Sequence, residues 1–287
     1  MHGWLILDKP AGITSTQAGG VIKRIFGQKK IGHAGTLDPF ASGILPLALG
    51  KATKTIPYLM NSSKTYNFTL SFGAQTTTDD TEGEVIATSA HRPSLKDIQS
   101  ALNLFTGLIQ QIPSIYSAIK IKGKPAYARA RAGEEINMPS RQVKIYDLAL
   151  EKYDGENATF SVTCGTGTYV RSLGRDLALH LESVGHLTML QRTRVGQFSI
   201  DNAISLENIK KIGDTPLACF LLPIGSVLDD IPAVSVSFQK ANKIQHGQAV
   251  EVSKNNCLNI SAWCDDKLIA LGHVQDNLFY PDRVFNI

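Results

Sequence analysis

Cysteine is scarce in this chain, with four among 287 residues. Cys164, Cys219, Cys257 and Cys264 form no CxxC pair and have no histidine cluster at zinc spacing, so no structural metal is expected. Reduced thiols in a reducing compartment are expected instead. Long apolar runs are missing too. The longest, around Ile44 to Leu49, falls far short of the roughly 20 residues that a bilayer helix needs, so no membrane association is expected. The opening MHGWLILDKP is apolar for four residues and then meets Asp8 and Lys9. That pattern is not a secretory leader, and a cytoplasmic location is expected. Repeats, low-complexity tracts and heptads are also absent, so a monomer with no obligate protein partner is the expected state. What remains is an ordinary globular composition, 43% hydrophobic and 19% charged, which excludes disorder as the main state.

The net charge of +4 is small, but it is unevenly placed. Residues 1–60 carry seven Lys/Arg against Asp8 and Asp38, a net of +5. Residues 120–144 carry Lys120, Lys122, Lys124, Arg129, Arg131, Arg141 and Lys144 against Glu134 and Glu135, again +5. The remainder must then hold −6. Two basic segments on an otherwise acidic protein fit either a polyanion partner, whose counterions Lys and Arg displace, or a solvated charged face.

Residues 3–8 read as a short buried strand. Thr14 or Ser15 can cap a helix with Val21, Ile22, Ile25 and Phe26 on its apolar face, closed by Gly27. Residues 31–50, rich in Gly and Pro, read as an irregular packed loop. Tyr66, Phe68, Leu70 and Phe72 alternate with polar residues, the mark of a half-buried strand. Residues 75–83 read as a polar loop, with a strand resuming over 84–88. Ser94 caps a helix that Gly107 stops. Residues 143–153 and 158–164 pair through Asp154-Gly155, residues 169–183 form a helix, and residues 188–200 return as a strand. Strands in runs with helices between them predict an α+β fold. The texture changes near residue 226, so two units are expected, 1–225 and a small all-β module over 226–287.

Four constellations stand out. In Gly32-His33-Ala34-Gly35-Thr36-Leu37-Asp38-Pro39, glycines permit tight turns and Pro39 forces Asp38 into extended backbone. Asp38 is then either a turn-stabilising residue or a reactive one. If buried, it needs a cationic partner to stay ionised. Gly167-Thr168-Tyr169-Val170-Arg171 puts Arg171 in the first turns of a helix, free to pair with a loop carboxylate or to lie exposed. Tyr66 at a strand end is either core or a stacking platform for a base. Tyr116 and Tyr127 interleaved with lysines and arginines suit a nucleic-acid surface or a tethered loop.

Taken together and in order, six segments resemble the TruB family of tRNA pseudouridine synthases. They are LDKPAGITS (7–15), KKIGHAGTLDPFASGILPLALGKATK (29–54), KTYNFTLSFGAQTTTDDTEGEV (64–85), PSIYSAIKIKGKPAYARARAGEEI (113–136), GTGTYVRSLGRDLA (165–178) and MLQRTRVGQF (189–198). The resemblance implies a mixed, largely antiparallel sheet flanked by helices, with a C-terminal PUA-like β-barrel. It implies conversion of uridine 55 in the T arm of tRNA to pseudouridine, without a cofactor. It implies Asp38 as nucleophile, Tyr66 stacked on the uracil and helping to move the C5 proton, and Arg171 paired with Asp38. His33 would fill the space left by the everted nucleotide or contact the substrate loop, and Tyr169 and Leu190 would line the uridine pocket. Lys9 and Asp80 match positions near the site. The expected contacts to the RNA backbone are Lys9, Lys54, Lys64, Lys122 and Lys124.

Two other functions are open to the same residues. A non-catalytic RNA-binding module would use the same basic segments, but it gains nothing from a carboxylate in its cleft. An acid–base hydrolase would pair Asp38 with Asp79 or Asp80.

Overall fold

The computed structural model describes every residue except 118, 122, 212–215 and 287. A ten-stranded mixed sheet forms the body of the protein. Its order is Ile204–Ser205, Gly3–Lys9, Ser42–Leu49, Gly185–Val195, Lys64–Phe72, Asn157–Cys164, Arg141–Tyr153, Gly107–Gln111. Two short strands flank this path: Ile31–His33 beside Ser42–Leu49, and Phe198–Ser199 beside Gly185–Val195. Gly3–Lys9 runs parallel to Ile204–Ser205, and Gly185–Val195 parallel to Ser42–Leu49; the other pairs are antiparallel. The sheet is thus mixed and largely antiparallel.

Helices pack on it for reasons visible in the chain. Over Ser15–Ile25, Thr14 and Gln17 close a capping box, and Ile22 and Phe26 bury against Leu5, Leu7, Leu45 and Leu47. Over Val170–His180, Val170, Leu173 and Leu177 meet Phe68, Leu70 and Phe160, the last stacked on Phe68 at 5.1 Å. Ser94 and Asp97 close a second capping box on Leu95–Ala101.

A second sheet of five strands lies at the C-terminal end: Ala233–Ser235, Cys257–Cys264, Lys267–Gln275, Leu278–Val284, Val250–Glu251. Its two end strands do not pair with each other, so it is an open half-barrel, the PUA-like form, rather than a closed barrel. Trp4, Ile44 and Val195 of the first sheet share one buried cluster with Val227, Leu228, Leu268, Leu271 and Phe285.

Two segments depart from the sequence reading. Residues 31–50 are not an irregular loop, because Ser42–Leu49 is a buried strand. Its run of apolar residues fills both faces of a central strand. Pro46 is tolerated because it falls between the stretch paired with Gly185–Val195, at residues 42–43, and the stretch paired with Ile31–His33, at 47–49. Within the polar loop 75–83, Thr76, Asp79 and Asp80 are buried, which its composition does not announce. The C-terminal module is not all-β. Phe238–Gln245 is a helix, capped by Ser237, that buries Ala241 and Ile244.

Gly43 stands where that central strand meets Arg192. Its φ is +101°, and a Cβ there would lie 2.2 Å from the Arg192 carbonyl oxygen. Gly43→Ala is therefore expected to lower stability by about 3 kcal/mol or more. Urea unfolding measures this, and a loss under about 1 kcal/mol would show that the two strands can separate locally.

Candidate active site

A cavity of about 340 Å³ opens where loops from both halves of the main sheet converge. Asp38, Tyr66, Tyr169, Arg171, Leu190 and Arg192 are among the residues that line it.

Asp38 sits on the loop between Ile31–His33 and Ser42–Leu49. That loop is pinned from several sides. The Ser15 hydroxyl donates to the Leu37 carbonyl at 3.0 Å and accepts from the Leu37 N–H at 2.8 Å. The Gly12 N–H donates to the Pro39 carbonyl at 2.8 Å. Arg192, 1% exposed, donates from Nε to the Ile44 carbonyl and from Nη2 to the Gly35 carbonyl, at 2.8 and 3.0 Å. One guanidinium thus staples the residues on either side of Asp38. The Asp38 side chain keeps about a third of its surface exposed toward the cavity.

Arg171, 4% exposed, lies in the first turn of Val170–His180. Its Nη2 meets Asp38 Oδ2 at 2.7 Å and its Nη1 meets Asp80 Oδ2 at 3.2 Å. It also donates to the Thr78 carbonyl at 2.8 Å and the Tyr116 carbonyl at 3.1 Å. Burial opposes the charge of this guanidinium, but Asp38 and Asp80 outweigh that and hold its pKa above the ordinary value. Asp80 is held in turn by the Thr78 hydroxyl and the Glu82 N–H. A second pair, Arg175 with Asp79 at 3.1 Å, anchors the same segment. This is why Asp79 and Asp80 are buried: their carboxylates answer two arginines of the helix.

Tyr66 and Leu190 sit on neighbouring strands, and Tyr66 lies directly across from Arg192. Burial pushes the Tyr66 phenol above its usual pKa, with Arg192 opposing it. Tyr169 is clamped by Gln111, which is 1% exposed. The Gln111 side chain donates to the Tyr169 carbonyl at 3.1 Å and accepts from its N–H at 2.8 Å.

The structure therefore gathers Asp38, Tyr66, Arg171, Tyr169 and Leu190 around one cavity. His33 does not line it. Its half-buried ring lies on the strand opposite Leu47, where burial and Arg192 lower its pKa. The expected phosphate-binding lysines need correction. Lys9 is fully buried, and its ammonium donates to the Pro10 and Ile13 carbonyls, both at 2.8 Å. Lys64 is buried against the Met60 and Ser62 carbonyls and the Thr166 hydroxyl. Burial brings both ammonium groups down to about 8. Lys54 is spent on the Val284 carbonyl and the Phe285 ring. Lys124 is exposed, and Lys122 lies outside the described residues. Arg192, Ser15 and Gln111 were missed by the sequence reading. Arg192 carried a signal, since it stands inside MLQRTRVGQF, but nothing local said that its side chain crosses to the Asp38 loop.

A hydrolase needs a second carboxylate in the cavity. Among the described residues, Asp38 is the one acid lining it, and Asp79 and Asp80 are committed to arginines. The cavity thus presents one carboxylate beside two guanidinium groups, Arg171 and Arg192, and two phenols, Tyr66 and Tyr169.

Comparison with known proteins agrees. In fold, the chain resembles one from a structure of an H/ACA RNP bound to a substrate RNA containing 2'-deoxyuridine. The TM-score is 0.75 at 23% identity, covering 99% of this chain and 84% of that one. It also resembles a chain of a Cbf5-Nop10-Gar1 complex, with TM-score 0.74, 26% identity, and 98% and 84% covered. Two family profiles match in succession. "TruB family pseudouridylate synthase (N terminal domain)" spans residues 23–170, and "tRNA pseudouridylate synthase B C-terminal domain" spans 171–229. A Nitrobacter winogradskyi protein called tRNA pseudouridine synthase B is 45% identical, covering 100% of this chain and 83% of that one. A Caulobacter vibrioides protein of the same name is 44% identical, covering 100% and 97%. The fold is that of a pseudouridine synthase, an isomerase. The chain belongs to the TruB family.

Arg192→Lys keeps the charge but loses the fork that spans two carbonyls. Isomerisation is expected to fall at least tenfold in single-turnover assays, on the order of 1.4 kcal/mol. An unchanged rate would show that the Asp38 loop holds its own shape.

Proposed function

We propose that this protein converts uridine 55 in the T arm of tRNA to pseudouridine, with Asp38 as the nucleophile. The observation that carries the reading is Asp38 ion-paired with Arg171 at 2.7 Å inside a cavity that also presents Tyr66, Tyr169 and Leu190. The curated relatives' name, tRNA pseudouridine synthase B, supports the substrate.

The chemistry follows from the atoms. The N1–C1′ bond of the nucleoside breaks, the base turns, and a C5–C1′ bond forms. C5 loses a proton and N1 gains one, so the net change is an isomerisation with no electron transferred. A carboxylate holds the intermediate covalently, at C1′ of the ribose or C6 of the base, and leaves at the end. Asp38 suits this role: it faces the cavity, and its partner Arg171 supplies the charge that a half-buried carboxylate needs. In this reading Tyr66 stacks on the base and handles the C5 proton.

The target lies within a folded RNA loop and must be everted, which costs a few kcal/mol. Stacking on Tyr66, about 1–3 kcal/mol per base, and contact with Tyr169 and Leu190 offset much of that. Binding alone would be better served by a cavity without Asp38, because a carboxylate repels a polyanion.

Three outcomes are expected. Asp38→Asn abolishes pseudouridine formation on a tRNA transcript while leaving tRNA affinity within about threefold; retained turnover would exclude Asp38 as nucleophile. Arg171→Lys cuts turnover about a hundredfold or more, because an ammonium cannot bridge two carboxylates as the fork does. Near-wild-type turnover in that variant would mean that charge alone suffices. A transcript with cytidine at position 55 yields no product if the site assignment holds.

A further inference from the structure

We propose that Arg141 is a binding site for a backbone phosphate of the RNA strand that carries the target uridine. This rests on reading the protein as an RNA-modifying enzyme. Arg141 opens the strand Arg141–Tyr153 and lies opposite Gln111 in the sheet. Its guanidinium lies over the Tyr169 ring, 4.8 Å from the centroid. A Cβ on Gly167 would be 3.8 Å from its Nη1. Tyr169 and Gly167 both line the cavity, so this cation stands at the cavity's rim.

The Arg141 Nε and Nη2 are covered, and neither has a hydrogen-bond partner. No carboxylate pairs with Arg141 among the described residues. These two nitrogens form one edge of the guanidinium, whose parallel N–H bonds match two oxygens of a phosphate. Leaving such donors unpaired is unfavourable, so a group that supplies both acceptors binds there with a large gain.

The other cations around the cavity are already committed. Lys9, Lys64 and Arg192 donate to carbonyls, and Arg171 leaves only its Nε unpaired while its other nitrogens meet four acceptors. Arg141 combines a covered but unpaired bidentate edge with a basic setting. Lys144 of the same strand lies over the exposed Tyr146 ring at 5.1 Å, and Lys124 is exposed on a nearby segment of sequence. A phosphate there would fix the guanidinium on Tyr169, whose main chain Gln111 already holds. RNA contact at the rim would thus steady the wall of the uridine pocket.

The test uses the full chain, a stem-loop RNA containing the target uridine, and the same RNA with a single neutral methylphosphonate linkage on either side of it. Arg141→Met is expected to bind the unmodified RNA about tenfold more weakly. Its log–log salt dependence should be shallower by about 0.7, one phosphate's share for a single strand. Its Tm should stay within about 2 °C, because losing unpaired donors offsets losing the ring contact. A methylphosphonate at the contacted linkage should weaken the wild type about tenfold and Arg141→Met not at all. An unchanged affinity and slope overturn the proposal. So does a weakened affinity with a large fall in Tm and no methylphosphonate effect specific to the wild type, which would make Arg141 a packing residue. Isomerisation of the unmodified RNA by the wild type is scored in parallel. Its absence counts against the enzymatic reading, whereas the methylphosphonate result decides the phosphate site by itself.

Discussion

A buried guanidinium organises this protein. Arg171 is almost wholly out of solvent, and removing such a charge from water costs several kcal/mol unless it is paired and hydrogen-bonded. Its four acceptors come from three segments remote in sequence: Asp38, the Thr78–Asp80 turn, and Tyr116. Each must be in place for the charge to be tolerated. The constraint that stabilises the helix start therefore also delivers Asp38 to the cavity.

Around that centre, most cations near the cavity serve the fold itself. Arg192, Lys9 and Lys64 spend their donors on main-chain carbonyls near the Asp38 loop and the cavity floor. They behave as structural pins, which is consistent with two ammonium groups brought down to about 8 by burial. In the reading proposed above, basic residues toward Lys124 and Arg141 remain for a polyanion. This division explains how a chain of modest net charge can serve an RNA partner: the position and the free donors of a few cations matter more than the total.

Much of the fold is local and therefore legible in the chain. The alternation from Tyr66 to Phe72, the Ser94 cap and the Asp154-Gly155 hairpin depend on neighbours within a turn or two, and each appears as read. Ser42–Leu49 was misread because its Gly and Pro content speaks for a loop, while its burial comes from strands far away in sequence. Burial within the polar loop 75–83 has the same origin: Asp79 and Asp80 look solvated until the Arg171 helix is folded against them. The helix at Phe238–Gln245 is a different case. Ser237 and the spacing of Phe238, Ala241 and Ile244 were a usable signal that the surrounding strands obscured. At the site, Asp38, Tyr66 and Arg171 were identifiable through motifs, whereas the bond from Arg192 to Gly35, spanning 157 positions, has no local signature.

Asp80 and Asp38 act on one shared guanidinium, that of Arg171. The most direct measurement is a double-mutant cycle on the single-turnover rate, with Asp80→Asn and Arg171→Lys made singly and together. If the two residues work through one network, the double variant is about as slow as the slower single variant. Losses that simply multiply would mean that Asp80 and Arg171 contribute separately, and would contradict the account.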